Sequence, residues 1–213
     1  MNQVTDQQII EILRKEAVPA LGCTEPVACA LACAKCKEVL GGVPERLDVL
    51  VSGNIYKNGM GVGIPGTGMV GLPIAAALGA VCGKSEYGLE VLKEVNVGDN
   101  LQRAKDMLDQ VTVSLKEDAP DKLYAEALAT KGNDTVKVVI AHTHTNIVLV
   151  EKNGEEIFKR EFRLDTSKPE DKGPELSVKR IWDFVHEVDV KDIEFVLQGA
   201  EMNKAISAEG LNS

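Results

Sequence analysis

The chain has 213 residues, of which 44% are hydrophobic and 27% charged, and its formal net charge is −9. Such a chain can bury a core, while its acidity opposes binding to nucleic acid or anionic lipid, and no cluster of Lys or Arg overrides this. No stretch is apolar enough to span a bilayer, and the polar start is unlike a secretory signal. Four of the five cysteines crowd between Cys23 and Cys36, which indicates a reducing compartment. We therefore expect a cytoplasmic protein that binds neither polynucleotide nor membrane.

The chain begins with two predicted helices. Thr5 and Gln8 form a capping box for the first helix, which ends at Pro19. Thr24 is the predicted N-cap of the second helix. Residues 27–40 of that helix are rich in Ala and Cys, which predicts a buried, closely packed helix.

A glycine-rich stretch follows a short strand. Residues 47–51 are apolar and predict a buried strand, whereas residues 52–71 contain seven glycines. We expect no regular element in residues 52–71, but backbone that is shaped for close approach to a ligand. Residues 72–81 then predict a helix of small side chains.

The middle of the chain has the alternation typical of strands. Predicted strands cover residues 111–115, 123–130, 135–142, 146–151 and 157–162. Asn153-Gly154 predicts a tight hairpin turn before the last of them. A helix is expected near residues 101–108, a polar linker at 165–175, and helices at 176–188 and from 192.

These elements predict an α+β fold, with a helical core, a glycine-rich loop and a small antiparallel meander. The expected domains are a helical part at residues 1–95 and an α+β subdomain at 96–164. Residues 165–213 would hold a linker and helices that return to the helical part. The chain stops abruptly after a helical segment, so we expect it to be truncated.

Cys23 is the first candidate for chemistry, because it stands at the start of a predicted helix. The positive end of a helix dipole lowers a thiol's pKa and favours the thiolate, which binds metal or attacks an electrophile. The free N–H groups there also suit a carboxylate. An ordinary capped helix with a cysteine nearby is the alternative, and the residues alone leave it open.

Three further cysteines, Cys29, Cys33 and Cys36, have the spacing of a cluster-binding motif of radical enzymes. They lie within an Ala-rich helix, however, where spacings of four and three put small buried thiols on one face. Packing is the favoured interpretation. Cys82 is also expected to be a buried helix residue.

Two other sequence patterns each allow two interpretations. Residues 66–71 match a dinucleotide-binding fingerprint, but the preceding strand ends too early, so a small-anion site formed by backbone N–H groups fits better. His142, His144 and Asn146 alternate as on one face of a strand. They suit metal binding or proton transfer, or simply form the wet face of a sheet.

Four segments, in chain order, carry a resemblance to a known family. They are residues 16–26 (EAVPALGCTEP), 52–59 (SGNIYKNG), 63–68 (GIPGTG) and 144–148 (HTNIV). Together they resemble the L-cysteine desulfidase group of the iron–sulfur L-serine dehydratase α-chain superfamily. The resemblance covers almost the whole chain and implies that it is the N-terminal half of a longer protein.

The resemblance also implies a cofactor and a reaction. Members hold a [4Fe-4S] cluster through three cysteines, of which one matches Cys23 and two lie in the C-terminal half, outside this chain. They eliminate sulfide or water from L-cysteine or L-serine, giving pyruvate and ammonia. This chain alone is therefore expected to be inactive. The resemblance leaves open which amino acid is the substrate and whether a homo-oligomer forms.

Further roles are assigned from residue type and position. Thr24, Asn54 and Asn58 are candidates for orienting the substrate carboxylate. Lys57 is the candidate catalytic residue, which neutralises that carboxylate or transfers a proton. The competing hypothesis is a non-catalytic domain that binds a small anionic metabolite.

Overall fold

A computed structural model of the chain describes residues 4–160 and 176–212. The predicted α+β class is confirmed, because helices accompany a mixed six-stranded sheet and a two-stranded antiparallel sheet. The chain forms two compact units. One consists of residues 20–164, and the other combines residues 1–19 with 165–213.

The elements have the following bounds. The helices are α1 (Asp6–Glu16), α2 (Thr24–Leu40), α3 (Gly53–Gly59), α4 (Leu72–Val81), α5 (Asn100–Asp106), α6 (Val178–Glu187), α7 (Val190–Ile193) and α8 (Val196–Asn212). The strands are β1 (Arg46–Val51), β2 (Gly63–Ile64), β3 (Met69–Val70), β4 (Val111–Leu115), β5 (Tyr124–Lys131), β6 (Asp134–Ala141), β7 (Ile147–Lys152) and β8 (Glu155–Lys159).

The large sheet of the residue 20–164 unit has the strand order β4-β1-β5-β6-β7-β8. Strands β5 to β8 form an antiparallel meander, and the predicted turn at Asn153-Gly154 joins β7 to β8 with positive φ angles of 54° and 83°. The prediction that residues 111–115 belong to this meander is wrong, because β4 pairs with β1 in parallel. Strand β1 pairs in parallel with β4 and antiparallel with β5. Strand β1 therefore belongs to the same sheet as the meander strands β5 to β8.

Helix α2 packs on β5 and β6 and against α4, so it lies at the centre of the core. Alternate residues of β5 on the buried face are alanines, Ala125, Ala127 and Ala129, whose short side chains leave room for α2. Gly79 of α4 lies against the backbone of Ala30, and an added methyl group would overlap it. This close approach explains the small side chains of both helices.

The cysteines of α2 are packing residues, as predicted. Cys29, Cys33 and Cys36 are each 0% exposed, and Cys36 Sγ lies 3.5 Å from the carbonyl oxygen of Ala127. Burial raises the pKa of Cys29 to about 12. These thiols face the sheet and stay protonated at neutral pH.

The expectation of no regular element in residues 52–71 is wrong. Ser52 caps helix α3, because its hydroxyl accepts a hydrogen bond from the backbone N–H of Ile55, and strands β2 and β3 form a short hairpin. Gly59 faces Leu72 so closely that a side chain would overlap it. The glycines therefore permit tight packing of regular elements.

The second unit has a small core of its own. Val4, Ile9, Ile10 and Phe184 are buried together, and Arg180 Nε donates a hydrogen bond of 2.6 Å to the carbonyl oxygen of Val4. The predicted capping box of Thr5 and Gln8 is confirmed. The predicted linker at 165–175 lies outside the described residues.

Among the helices of residues 4–160 and 176–212, none has the length and apolar character that a transmembrane helix needs.

Candidate functional site

Cys23 lies at the N-terminus of α2, directly after a glycine that packs on the glycine-rich segment. It is the N-cap residue, in place of the predicted Thr24, and its side chain makes no capping hydrogen bond. Gly22 has a φ of +83°, and a Cβ atom there would lie 2.9 Å from Pro65 Cγ. The turn before Cys23 is thus packed directly on the β2–β3 hairpin.

A carboxylate links Cys23 to α3. Cys23 Sγ donates a hydrogen bond of 2.7 Å to Glu25 Oε2. Asn58 Nδ2 donates one of 3.1 Å to Glu25 Oε1. The thiol, the carboxylate and the amide form one chain of hydrogen bonds between the start of α2 and the end of α3.

The pKa of Cys23 differs from the prediction. Partial burial, followed by the hydrogen bond to Glu25, raises the pKa of the Cys23 thiol above its usual value. The pKa of Glu25 is lowered, chiefly by the hydrogen bond from that thiol. The shift of this pKa is therefore opposite to the one predicted for a thiolate, because burial and the nearby carboxylate outweigh the helix dipole.

His144 approaches the same site from the sheet. Its Nε2 lies 3.2 Å from Thr24 Oγ1, in a half-buried hydrogen bond. Burial lowers the pKa of His144, so the ring is neutral near pH 7, although the charge of Glu25 acts in the opposite direction. Two groups from distant parts of the sequence thus meet at the first turn of α2.

The predicted strand through His142, His144 and Asn146 is wrong, because all three lie in the turn between β6 and β7. His142 has a φ of +69°, which ends β6, and its Nδ1 lies 2.7 Å from Asp121 Oδ2. The three side chains therefore do not share one face of a strand. The alternation of these residues in the sequence is typical of a strand, but the backbone leaves the extended conformation at His142.

The predicted substrate-binding residues of α3 lie together. Asn54, Lys57 and Asn58 have spacings of three and four, which share one helix face, and all three are exposed. Asn58 is bound to Glu25, whereas Asn54 and Lys57 have no hydrogen bond or ion pair from their side chains within the described residues. The exposed side chains of Asn54 and Lys57 therefore lie on the same helix face as Asn58, which joins α3 to Glu25.

The sequence did not predict the contacts of Glu25, His144 and Pro65. Glu25 received no role of its own, and His144 was predicted to bind metal or transfer a proton, or to form the wet face of a sheet. The motif that contains each was visible, but no local pattern indicates which distant segment it will contact. Only the tertiary fold brings residues 25, 58, 65 and 144 around Cys23.

No group of three or more His, Cys, Asp or Glu side chains within residues 4–160 and 176–212 has the geometry of a metal site. The other cysteines are all buried. Cys23, which is partly exposed, is the cysteine suited to bind an exogenous metal or cluster.

Comparisons with known proteins find relatives with a shared name. The chain is 47% identical over 210 residues to a UPF0597 protein of Parabacteroides distasonis, covering 96% of the chain and 48% of the relative. It is 45% identical over 201 residues to a UPF0597 protein of Phocaeicola vulgatus, covering 93% and 46%. A UPF0597 protein of Aeromonas hydrophila is 45% identical over 205 residues, covering 95% and 46%. The chain thus spans about half the length of the curated relatives it matches.

Two further comparisons gave no match. No family model matches the sequence. No solved structure matches it either.

Proposed function

We propose that this chain supplies part of the active site of an iron–sulfur-dependent lyase that acts on L-cysteine or L-serine. One observation carries the proposal. All four segments that resemble the cysteine desulfidase group meet around Cys23, through Gly22 against Pro65, Asn58 to Glu25, and His144 to Thr24. Segments separated by up to 120 residues thus converge on one thiol.

The residues present fit one ligand of a [4Fe-4S] cluster. A cysteine must lose its proton to bind iron, and the Cys23 thiol is partly exposed, so that an incoming cluster can reach it. Cys23 would hold the cluster here, and the remaining cysteine ligands would come from outside this chain. When bound, the cluster supplies an iron that acts as a Lewis acid on the thiol or hydroxyl of the substrate.

Helix α3 offers the groups that would orient the substrate. The side chains of Asn54 and Asn58 provide N–H donors, and Lys57 provides a positive charge. These groups suit an amino acid carboxylate, which accepts several hydrogen bonds at once. Thr24, at the start of α2, would contribute a hydroxyl on the other side.

Proton transfer has two candidates. Lys57 is exposed on α3, while His144 is half-buried beside Thr24. A neutral imidazole is a competent base, and burial favours the neutral form of His144. Removal of the substrate's Cα proton with loss of sulfide or water yields aminoacrylate, which hydrolyses to pyruvate and ammonia.

The same proposal includes the cytoplasm as its location, since such a cluster needs a reducing compartment. It also includes inactivity of the present chain by itself, because a single thiol does not hold a cluster.

The test joins this chain to the half of the Parabacteroides distasonis relative that it does not match. Purified without oxygen, this joined protein is expected to be brown, to contain iron and to release sulfide from L-cysteine or pyruvate from L-serine. Cys23→Ala should abolish the colour. Cys33→Ala, which removes a buried packing thiol, should retain it. A joined protein that folds yet holds no iron and turns over neither substrate would refute the proposal.

The second candidate function is binding of a small anionic metabolite without catalysis. It is favoured by the exposed donor face of Asn54, Lys57 and Asn58. The metal-free chain should then show a raised melting temperature with one member of a panel of amino acids and organic acids. Lys57→Met should remove that rise. A melting temperature that no compound changes would argue against this candidate.

A further inference from the structure

Helix α8 is apolar yet exposed along its length. Every residue from 196 to 211 is exposed. The exposed side chains include Leu197 at 58%, Ile206 at 72% and Leu211 at 85%. The same stretch contains only three charged residues, Glu201, Lys204 and Glu209.

Such a helix needs a packing partner. An isolated helix of about 15 residues is only marginally stable in water, and most helices in proteins depend on burial of one face. Gly199 and Gly210 weaken α8 further, since glycine costs about 1 kcal/mol relative to alanine in a helix interior. A helix with this composition is typical of a buried position rather than a solvated one.

Helix α6 presents a second apolar stripe in the same unit. Val178, Ile181, Trp182 and Val185 have the spacing of a single helix face and are 85%, 46%, 66% and 62% exposed. Phe184, which is buried in the small core, lies on the adjacent side of α6. The apolar surface of α6 therefore extends beyond the part that the unit itself covers.

We propose that the exposed apolar side chains of α6 and α8 form a docking surface for a second polypeptide region. The proposed partner is the half of the UPF0597 relatives that this chain does not match. This inference concerns association only and does not depend on the proposed lyase activity.

The lengths of the relatives identify this partner. The match covers 93–99% of the chain but only 46–49% of each of the first five relatives compared, so each of them carries a further region of similar size. In the Parabacteroides distasonis protein, the match of 210 residues and that further region belong to one polypeptide. A region on the same polypeptide has a high effective concentration at the surface.

The shape of α8 defines the chemistry of the partner. Ala200, Ser207 and Ala208 are small and lie on one side of α8, so a facing helix can approach closely there. The facing surface should therefore be helical and apolar, with larger side chains that fit between these positions. A strongly charged partner would leave the apolar side chains of α6 and α8 uncovered.

The association is tested by mixing the full 213-residue chain with the separately produced unmatched half of the Parabacteroides distasonis relative. Sedimentation analysis should find a one-to-one complex, and the fluorescence of Trp182, the only tryptophan of this chain, should shift to shorter wavelength. The double variant Trp182→Ser/Ile206→Lys should weaken the complex by roughly 100-fold or more. The control is Val97→Lys. Val97 belongs to the other unit and is 60% exposed, close to the 66% of Trp182, so this change should leave the affinity unchanged.

A second measurement applies if the separate half does not fold. Amide hydrogen exchange is compared between this chain and the joined two-half protein. Residues 196–211 should exchange at least tenfold more slowly in the joined protein. Equal exchange in both proteins, a complex that the double variant leaves intact, or formation only of copies of this chain paired through α8 would each overturn the proposal.

Discussion

Gly22 is the residue whose backbone sets the position of Cys23. Its φ of +83° is costly for any residue with a Cβ atom, and that atom would lie 2.9 Å from Pro65 Cγ. We expect Gly22→Ala to lower the free energy of unfolding by about 2 kcal/mol, because left-handed strain and steric overlap add. Urea unfolding followed by far-UV circular dichroism measures this loss.

Two variants separate the strain from the overlap. Gly98 has a φ of +58° and open space around an added methyl group, so Gly98→Ala should cost only about 1 kcal/mol. Adding Pro65→Ala to Gly22→Ala should recover part of the stability. Equal losses for Gly22→Ala and Gly98→Ala would show that the packing on Pro65 contributes nothing.

His144 gives the site a defined pH dependence. Burial holds its pKa below the ordinary value of 6.5, so near pH 6 the unfolded chain binds more protons than the folded one. The stabilisation is therefore complete above pH 6.5 and is lost as the pH falls through the lowered pKa. His144→Gln, which keeps a hydrogen-bonding group, should lose less stability between pH 7.5 and pH 5.5 than the parent chain.

The measurement for His144 is the urea midpoint of both proteins at each pH. His142 and His186 are present in both, so their contributions cancel in the difference. Identical pH profiles would mean that the ring of His144 is not buried in the folded chain.

Individual residues also show which features of the site the sequence predicts and which it does not. The position of Cys23 at a helix start followed from Thr24-Glu25-Pro26, because start signals are local. The direction of its pKa shift did not follow, since it depends on partial burial of the thiol and on Glu25 turning back toward it. The contact of His144 with Thr24 spans 120 residues, and no local rule reports such a contact.

Among the secondary-structure elements, helices α2 and α4 approach each other so closely that their backbones are in contact. A methyl group on Gly79 would overlap the carbonyl oxygen of Ala30, which is backbone and does not rotate away. We expect Gly79→Ala to destabilise the residue 20–164 unit by about 3 kcal/mol or more, although alanine favours helix. Gly61→Ala, with nothing within 4 Å of the added atom, should change stability little. A small loss for Gly79→Ala would mean that the two helices separate easily.

Elements with strong periodicity were predictable, and those held by tertiary contacts were not. Helix α4 and the strands of the meander follow their sequence patterns to within a few residues. Helix α3 was missed because its glycines oppose helix formation, while burial of Ile55 and the close contact of Gly59 with Leu72 stabilise it. The place of β1 between β4 and β5 was not predictable either, because an apolar run does not specify its neighbours.

The whole molecule consists of two units with separate cores. The main core draws only on residues within the larger unit, which spans residues 20–164. We expect a chain of residues 20–160 to fold by itself and to unfold cooperatively in urea, as followed by circular dichroism. A gradual, non-cooperative loss of signal would show that the larger unit depends on the remaining helices.

The pairing of β1 with β4 and β5 also bears on how the chain is made. On the ribosome, Cys23 and Thr24 emerge long before His144, so the growing chain lacks the contact of His144 with Thr24 until β6 and β7 are made. Hairpins β5–β6 and β7–β8 close locally and quickly, whereas α2 has no sheet to lie on until they exist. The surroundings of Cys23 are therefore complete only after β6 and β7 have been synthesised, and oxidants in the cell have their best access to this sulfur before that moment.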